Sequence, residues 1–192
     1  AGSSYLLNSR ISYLDQTSQT LYSELNEGQG LPFSFQDFYG KLTTASEGGS
    51  KFSVYGFHFA DQAGLQATGD FEWTQWGVGA NFIFLPSTSS VLIGGNLGYT
   101  SYDIKIQEES VFPRESRVTS LNLNLDFTYF IGKNEIKYGV QFLGNSTSFL
   151  TTTPTLQKVD ETENNTEMSG FFKLRLVKPR FVIEPSFRLH YY

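Results

Sequence analysis

Apolar and polar residues alternate with a period of two along most of the chain, the repeat of a strand whose two faces meet different surroundings. The clearest run is Val118 to Ile131, where Leu121, Leu123, Leu125, Phe127, Tyr129 and Ile131 share one parity and Ser120, Asn122, Asn124, Asp126 and Thr128 the other. Further on, Phe181, Ile183, Pro185, Phe187, Leu189 and Tyr191 alternate with Val182, Glu184, Ser186, Arg188 and His190. Trp76, Val78, Ala80, Phe82 and Phe84 oppose Gln75, Gly77, Gly79 and Asn81, and Val91, Ile93, Leu97 and Tyr99 oppose Gly94, Asn96, Gly98 and Thr100. Tyr55, Phe57 and Phe59 oppose Val54, Gly56 and His58, which assigns His58 to the polar side. Weaker runs lie at Tyr5 to Tyr13, Ile136 to Phe142 and Met168 to Leu176. Between Phe33 and Thr44 the parity shifts near Gln36-Asp37, which predicts a bulge. These patterns predict about nine strands and no helix of useful length.

The predicted links alternate in length. Short, turn-rich links fall at 46–50, 86–89, 132–134 and 178–180; long polar links fall at Asp15 to Gly30, Asp61 to Asp70, Gln107 to Ser116 and Thr151 to Asn165. That describes an all-β, antiparallel up-and-down meander trimmed at one end. Periodicity alone fits a soluble barrel or sandwich as well as a transmembrane β-barrel. Three features favour the membrane. Rings gather near predicted strand ends (Tyr13, Tyr55, Trp73, Trp76, Phe84, Tyr99, Tyr129, Tyr138, Tyr191, Tyr192), as in aromatic girdles. The polar parity is rich in Gly, Asn, Gln and Thr, and the trimmed and elaborated ends match those of an outer-membrane barrel. Lipid offers no hydrogen bonds to an open edge, so such a sheet must close. About nine antiparallel strands leave the two ends on opposite sides, against the even count of bacterial single-chain barrels. Tyr192 also shares the parity of Arg188 and His190, whereas Tyr191 belongs with Leu189. The expectation is a single barrel segment over 1–192, without a separate plug or soluble domain, belonging to something larger.

Composition narrows the classes. Of 192 residues, 39% are hydrophobic and 16% aromatic, with a mean hydropathy of -0.26, so apolar surface is spread thin rather than gathered into a thick core. A net charge of -5 argues against nucleic acid as partner. Without Cys there is no disulfide, thiolate metal site or Cys nucleophile. His58 and His190 stand far apart and no HExxH pair exists, so no zinc site is expected and no cofactor is called for. No apolar run approaches the roughly 18 residues of a membrane-spanning helix. The first residues show no basic then apolar stretch, so an export signal would precede Ala1.

From Ser4 to Asp15 (SYLLNSRISYLD), then Leu31 to Leu42 (LPFSFQDFYGKL), then Ser50 to Asp61 (SKFSVYGFHFAD), the chain resembles successive early barrel strands of TonB-dependent outer-membrane receptors of the Bacteroidetes type. The similarity continues through Trp76 to Phe82, Gly98 to Asp103, Leu125 to Phe130, Ile136 to Phe142 and Ile183 to Leu189, in order, over nearly the whole chain. At Ser9-Arg10-Ile11 it departs from the family pattern, where a second Arg is usual. The resemblance implies a plugged barrel of about 22 strands, of which this chain is the first portion. It also implies a place in the cell outer membrane and energy-coupled uptake of a scarce, large nutrient: a metal chelate, cofactor, glycan or peptide. The implied partners are the lipid bilayer, the receptor's own plug, a TonB-type energy transducer and a surface-exposed accessory protein. The alternatives are a complete small barrel of about eight to ten strands acting as pore, adhesin or structural protein and, behind it, a barrel enzyme.

The polar parity supplies the candidate residues, expected to face the lumen and to meet plug, water or substrate: Arg10, Lys41, His58, Asn122, Asn124, Asp126, Lys173, Arg175, Glu184, Arg188 and His190, with Asp37, Gln75, Asn81, Asn96, Lys137 and Gln141. Buried polar groups must be satisfied, so a structural role is the default for each. Catalysis would need a nucleophile beside an oriented His. Ser53 shares the parity of Phe57, and Ser186 has no acidic orienter in the sequence, so no catalytic residue is assigned. The long links, with Tyr22, Phe71, Trp73, Asn164, Asn165 and Thr166, are the places where an extracellular ligand is first met.

Overall fold

The computed structural model describes residues 2–22, 24, 28, 30–65, 69–108, 112–153 and 155–192, the side chains of Asp15 and Leu65 excepted. It is one antiparallel up-and-down sheet. In order the strands are β1 (Gly2–Ile11), β2 (Phe33–Ala45), β3 (Lys51–Leu65), β4 (Gly69–Phe84), β5 (Val91–Gln107), β6 (Arg114–Ile131), β7 (Asn134–Thr152), β8 (Lys158–Lys178), β9 (Phe181–Ile183) and β10 (Ser186–Tyr191). From β1 to β8 each pairs with the next in sequence, and β9 and β10 both pair with β8. Those two are one strand in a single register, since Ile183 lies opposite Leu176 and Ser186 opposite Lys173. Pro185 lacks an N–H, but its carbonyl still accepts from Leu174 N at 3.0 Å. The predicted nine strands are therefore present. β1 does not pair with β10, so the sheet is not closed.

Every register is unbroken, so the expected bulge at Gln36-Asp37 is absent: Asp37 lies opposite Arg10 on one side and Phe59 on the other. What looked like a parity shift is Phe33 and Phe35 lying on the same face as Asp37. Phe35 is held there by the Arg10 guanidinium, 5.4 Å above its ring. The registers divide the residues into two faces, named here for Asp37 and Leu123. All the predicted polar-parity residues share the Asp37 face except His58.

On β3 the sequence reading is inverted. Tyr55, Phe57 and Phe59 lie on the Asp37 face, and His58 lies on the Leu123 face between Phe38 and Trp76. The cause is cross-strand packing. Gly77 and Gly79 on β4 leave space on the Asp37 face, and the Phe57 and Tyr55 rings fill it, within 2.7 Å and 2.5 Å of where a Cβ would stand. Ser53, on the same face, is 4% exposed and shares a 2.8 Å hydrogen bond with Thr43.

The strands also run farther than their pattern suggested. The links expected at 61–70, 107–116 and 151–165 are largely strand, because the ladders continue to Leu65↔Gly69, Ile106↔Arg114 and Thr152↔Lys158. Phe71, Trp73 and Asn164 to Thr166 are thus strand residues. Residues 23, 25–27, 29, 66–68, 109–111 and 154 of the predicted long links lie outside the described residues. The short links are tight: Gly49 and Gly132 take φ +85° and +61°, conformations that favour glycine. They define a turn end, opposite a loop end.

One helix, α1 (Leu14–Leu21), interrupts the meander where none was expected. Its Thr17 and Thr20 hydroxyls donate to the Tyr13 and Gln16 carbonyls at 2.7 and 3.1 Å, and Leu31 N donates to Ser18 Oγ at 2.6 Å. Eight residues without apolar spacing leave little helical signal in the sequence.

Within the body of the sheet Gly139 is tightly enclosed, because a Cβ there would stand 2.5 Å from the Leu125 carbonyl oxygen and 2.8 Å from the Phe171 ring. Gly139→Ala is expected to cost about 1–3 kcal/mol through overpacking. Gly98→Ala, whose nearest neighbour would be the Tyr55 hydroxyl at 3.6 Å, should be tolerated. Urea-unfolding midpoints of the two variants check this.

Candidate functional site

The Asp37 face carries two polar clusters. On β6 to β10, toward the turn end, Lys137 Nζ meets Asp126 Oδ2 at 3.1 Å, and Glu184 receives both Lys173 Nζ and Arg175 Nε at 2.9 Å. Three cations and two carboxylates thus form one ion pair and one separate triad across four strands. Above them, Arg188 donates to Gln141 Oε1, to Ser169 Oγ at 2.8 Å and to His190 Nε2 at 2.7 Å. Asn96, Asn122 and Asn124 from β5 and β6 join these groups around a cavity of about 240 Å³. The Asn124 Nδ2 donates to Asp126 at 3.3 Å, while its buried Oδ1 finds no partner among the described residues. The sequence-predicted residues of β6 to β10 are therefore brought together, Ser169 being the addition.

Arg10 stands apart, on β1. It forks onto Asp37, with Nε donating to Oδ2 at 2.7 Å; Asp37 is 7% exposed, while the Arg10 side chain is 70% exposed. Lys41 lies on the same face, opposite Tyr55. His58 belongs to neither cluster.

Height along the strands reverses the chemistry of both faces. Toward the turn end the Leu123 face is an uninterrupted apolar band, from Leu121 to Ile131 on β6 and from Met168 to Leu176 on β8. Its upper limit is marked by Phe38, Trp76 and Tyr99, the last two with rings 5.4 Å apart. Its lower part carries Phe84, Tyr129 and the stacked pair Phe127 and Tyr138 at 5.3 Å. Tyr55 and Trp73, expected among these rings, lie on the other face. Toward the loop end the Leu123 face turns polar. Arg117 pairs there with Asp103, and Lys105 with Glu115 at 3.7 Å. The hydrogen bond to Asp103 raises the Arg117 guanidinium above its ordinary value.

At that same height the Asp37 face becomes aromatic. Phe35, Asp61, Trp73 and Ile104 form one row, and Asp37, Phe59, Gln75 and Tyr102 the next. Phe57 and Phe59 stack at 4.9 Å, and the Trp73 indole donates to Asp61 Oδ2 at 2.6 Å. Sequence reading missed this wall by giving β3 the wrong parity. The signal was present, since Ser53 and Asp61 share the parity of Phe57.

The band keeps a constant sense as it crosses the sheet. Trp76 lies opposite Ser101, but the band on β5 begins two residues lower, at Tyr99. Tyr99 is level with Leu121; Leu121 faces Gly144, and the first apolar side chain of β7 is again two lower, at Phe142. Phe142, Met168 and Tyr191 are level. A belt of fixed height crossing tilted strands steps in one direction only. Ten residue steps from Leu121 to Ile131 make about 33 Å along the strand at about 3.3 Å per residue. At a tilt of about 40° that is about 25 Å of height.

Neither a family model nor a curated protein matches the chain.

Asp37 has two charge-assisted contacts and little water. Asp37→Asn is expected to lower stability by about 1–2 kcal/mol, the range for a hydrogen-bonded ion with one solvated partner. Lys173→Met, at a more exposed pair, should move the unfolding midpoint little. Denaturant titration of both variants separates the two cases.

Proposed function

We propose that the Leu123 face lies against hydrocarbon and the Asp37 face looks into a barrel lumen. On this reading the chain is a wall segment of a TonB-dependent receptor in a Gram-negative outer membrane, serving energy-coupled uptake of a large nutrient. One observation carries the membrane reading: an apolar band about 25 Å high, edged by rings, on one face of a sheet with no second layer over it. Ala63, at 8%, is the only hydrophobic side chain buried among the described residues. A soluble sheet would place its apolar face under another layer. No helix of the described residues is long and apolar enough to cross a membrane, which leaves strands as the crossing elements.

The edges support the larger barrel over a small complete one. β1 and β10 both run from the turn end to the loop end, so pairing them with each other would be parallel in an otherwise antiparallel sheet. Further antiparallel strands satisfy both edges without that exception. The receptor assignment itself rests on the ordered sequence resemblance. In it the Asp126–Lys137 pair and the triad of Lys173, Arg175 and Glu184 brace the lumen wall, and the loop-end rings meet what enters from outside.

Leu125→Arg, one residue from the middle of the band, should weaken folding into phosphatidylcholine vesicles by about 2–4 kcal/mol, as a cation near mid-bilayer does. Ser120→Arg, on the Asp37 face, should have little effect, and equal effects would contradict the assignment of faces. For the receptor role, the full-length gene product in detergent is expected to bind the purified periplasmic domain of a TonB-type transducer. A folded protein that does not bind it, but conducts ions as a pore, would favour the small-barrel reading.

A further inference from the structure

The loop-end wall on the Asp37 face has an electrostatic border. Phe35, Phe59, Trp73 and Tyr102 stand on β2 to β5, and Phe149 on β7 lies level with Ile104, with Ser116 of β6 between them. Among the described residues, the strands contact only their sheet neighbours and α1 contacts only β2, so no other strand or helix is packed over these rings. Phe149 is the register partner of Glu161; Glu163 and Glu167 follow on the same face of β8. None of these three glutamates has an ion-pair partner among the described residues. The cations of this face at this height, Arg10 and Arg114, already hold Asp37 and Glu108. Asp61 receives a hydrogen bond from Trp73 but no cation.

Ring faces and free carboxylates select the same kind of ligand. The negative face of an aromatic ring attracts cations, and so do the unpaired glutamates. The chain itself uses the wall in this way, with the Arg10 guanidinium lying over Phe35. A neutral sugar would cover rings and donate hydroxyl hydrogen bonds to the carboxylates but bring no charge to offset theirs, whereas a cation does both, and an anion would be repelled.

We propose that this wall binds a cationic peptide with apolar side chains: its Lys or Arg groups meet Glu161 and Glu163, and its apolar groups lie on Phe59, Trp73 and Phe149. The proposal rests on the reading of the Asp37 face as a lumen wall, and it narrows the nutrient class to basic peptides. The peptide is held non-covalently, and ionic strength weakens the hold because part of it is exposed charge.

The test uses the full-length gene product in detergent micelles and a fluorescein-labelled octapeptide of alternating Arg and Phe, read by anisotropy. Saturable binding is expected, weakened about tenfold or more in Glu161→Gln/Glu163→Gln and in Trp73→Ala, and unchanged in Trp76→Phe on the opposite face. An octapeptide of alternating Glu and Phe, and maltohexaose as competitor, are expected to be inert. Binding unaffected by the first two variants, or equal binding of the acidic peptide or the sugar, overturns the proposal. Heat-modifiable gel mobility of the same preparation reports the barrel separately. A mobility shift without peptide binding overturns this inference alone, whereas no shift removes the barrel reading and the inference with it.

Discussion

Among the described residues no strand or helix lies over the Leu123 face, and that constraint governs the rest of the molecule. Side chains such as Val78, Leu123 and Val140 remain about half open although the ladder beneath them is fully paired. Covering a Val or Leu side chain stabilises by about 1.5–3 kcal/mol, so a face of this kind is held only in surroundings that cover it. Those surroundings supply no hydrogen bonds, so the backbone must find all its partners along the sheet. Unbroken registers over as many as 18 residue pairs, with no bulge between β1 and β10, are what that requirement produces.

Polarity is organised by height as well as by face. Below, oily side chains are on one side and ion pairs on the other; above, the ion pairs of Arg117 and Lys105 have moved to the first side and the rings of Phe59 and Trp73 to the second. The upper half therefore resembles a sheet in water with an apolar inner surface, continued without a break from a lower half of opposite sense. A single strand such as β5 carries both, with Ile93, Leu97 and Tyr99 facing one way and Ile104 and Ile106 the other.

This reversal also explains what could be read from the letters. β6 was legible because Leu121 to Ile131 lies wholly within the lower half, where parity has one meaning. The polar residues of β6 to β10 were placed on one face for the same reason, although the spacing could not give the pairings of Arg188 with Gln141 and Ser169. β3 failed because its rings sit on the polar side, in space that Gly77 and Gly79 provide from another strand, and no local period reports a neighbour's glycines. The strand extensions were misread as loops for a related reason: above the band, Asn164 to Thr166 have no apolar partner to mark the alternation. α1 is too short to show a period.

The most direct test places nitroxide labels one at a time at positions 121 to 131 of the full-length protein in lipid vesicles and compares their accessibility to oxygen and to a water-soluble nickel chelate. The account predicts strict alternation: labels at odd positions, including 123, favour oxygen and exclude nickel, while labels at even positions, including 124, do the reverse. Nickel reaching both parities alike, or both being shielded from nickel and oxygen together, would contradict it.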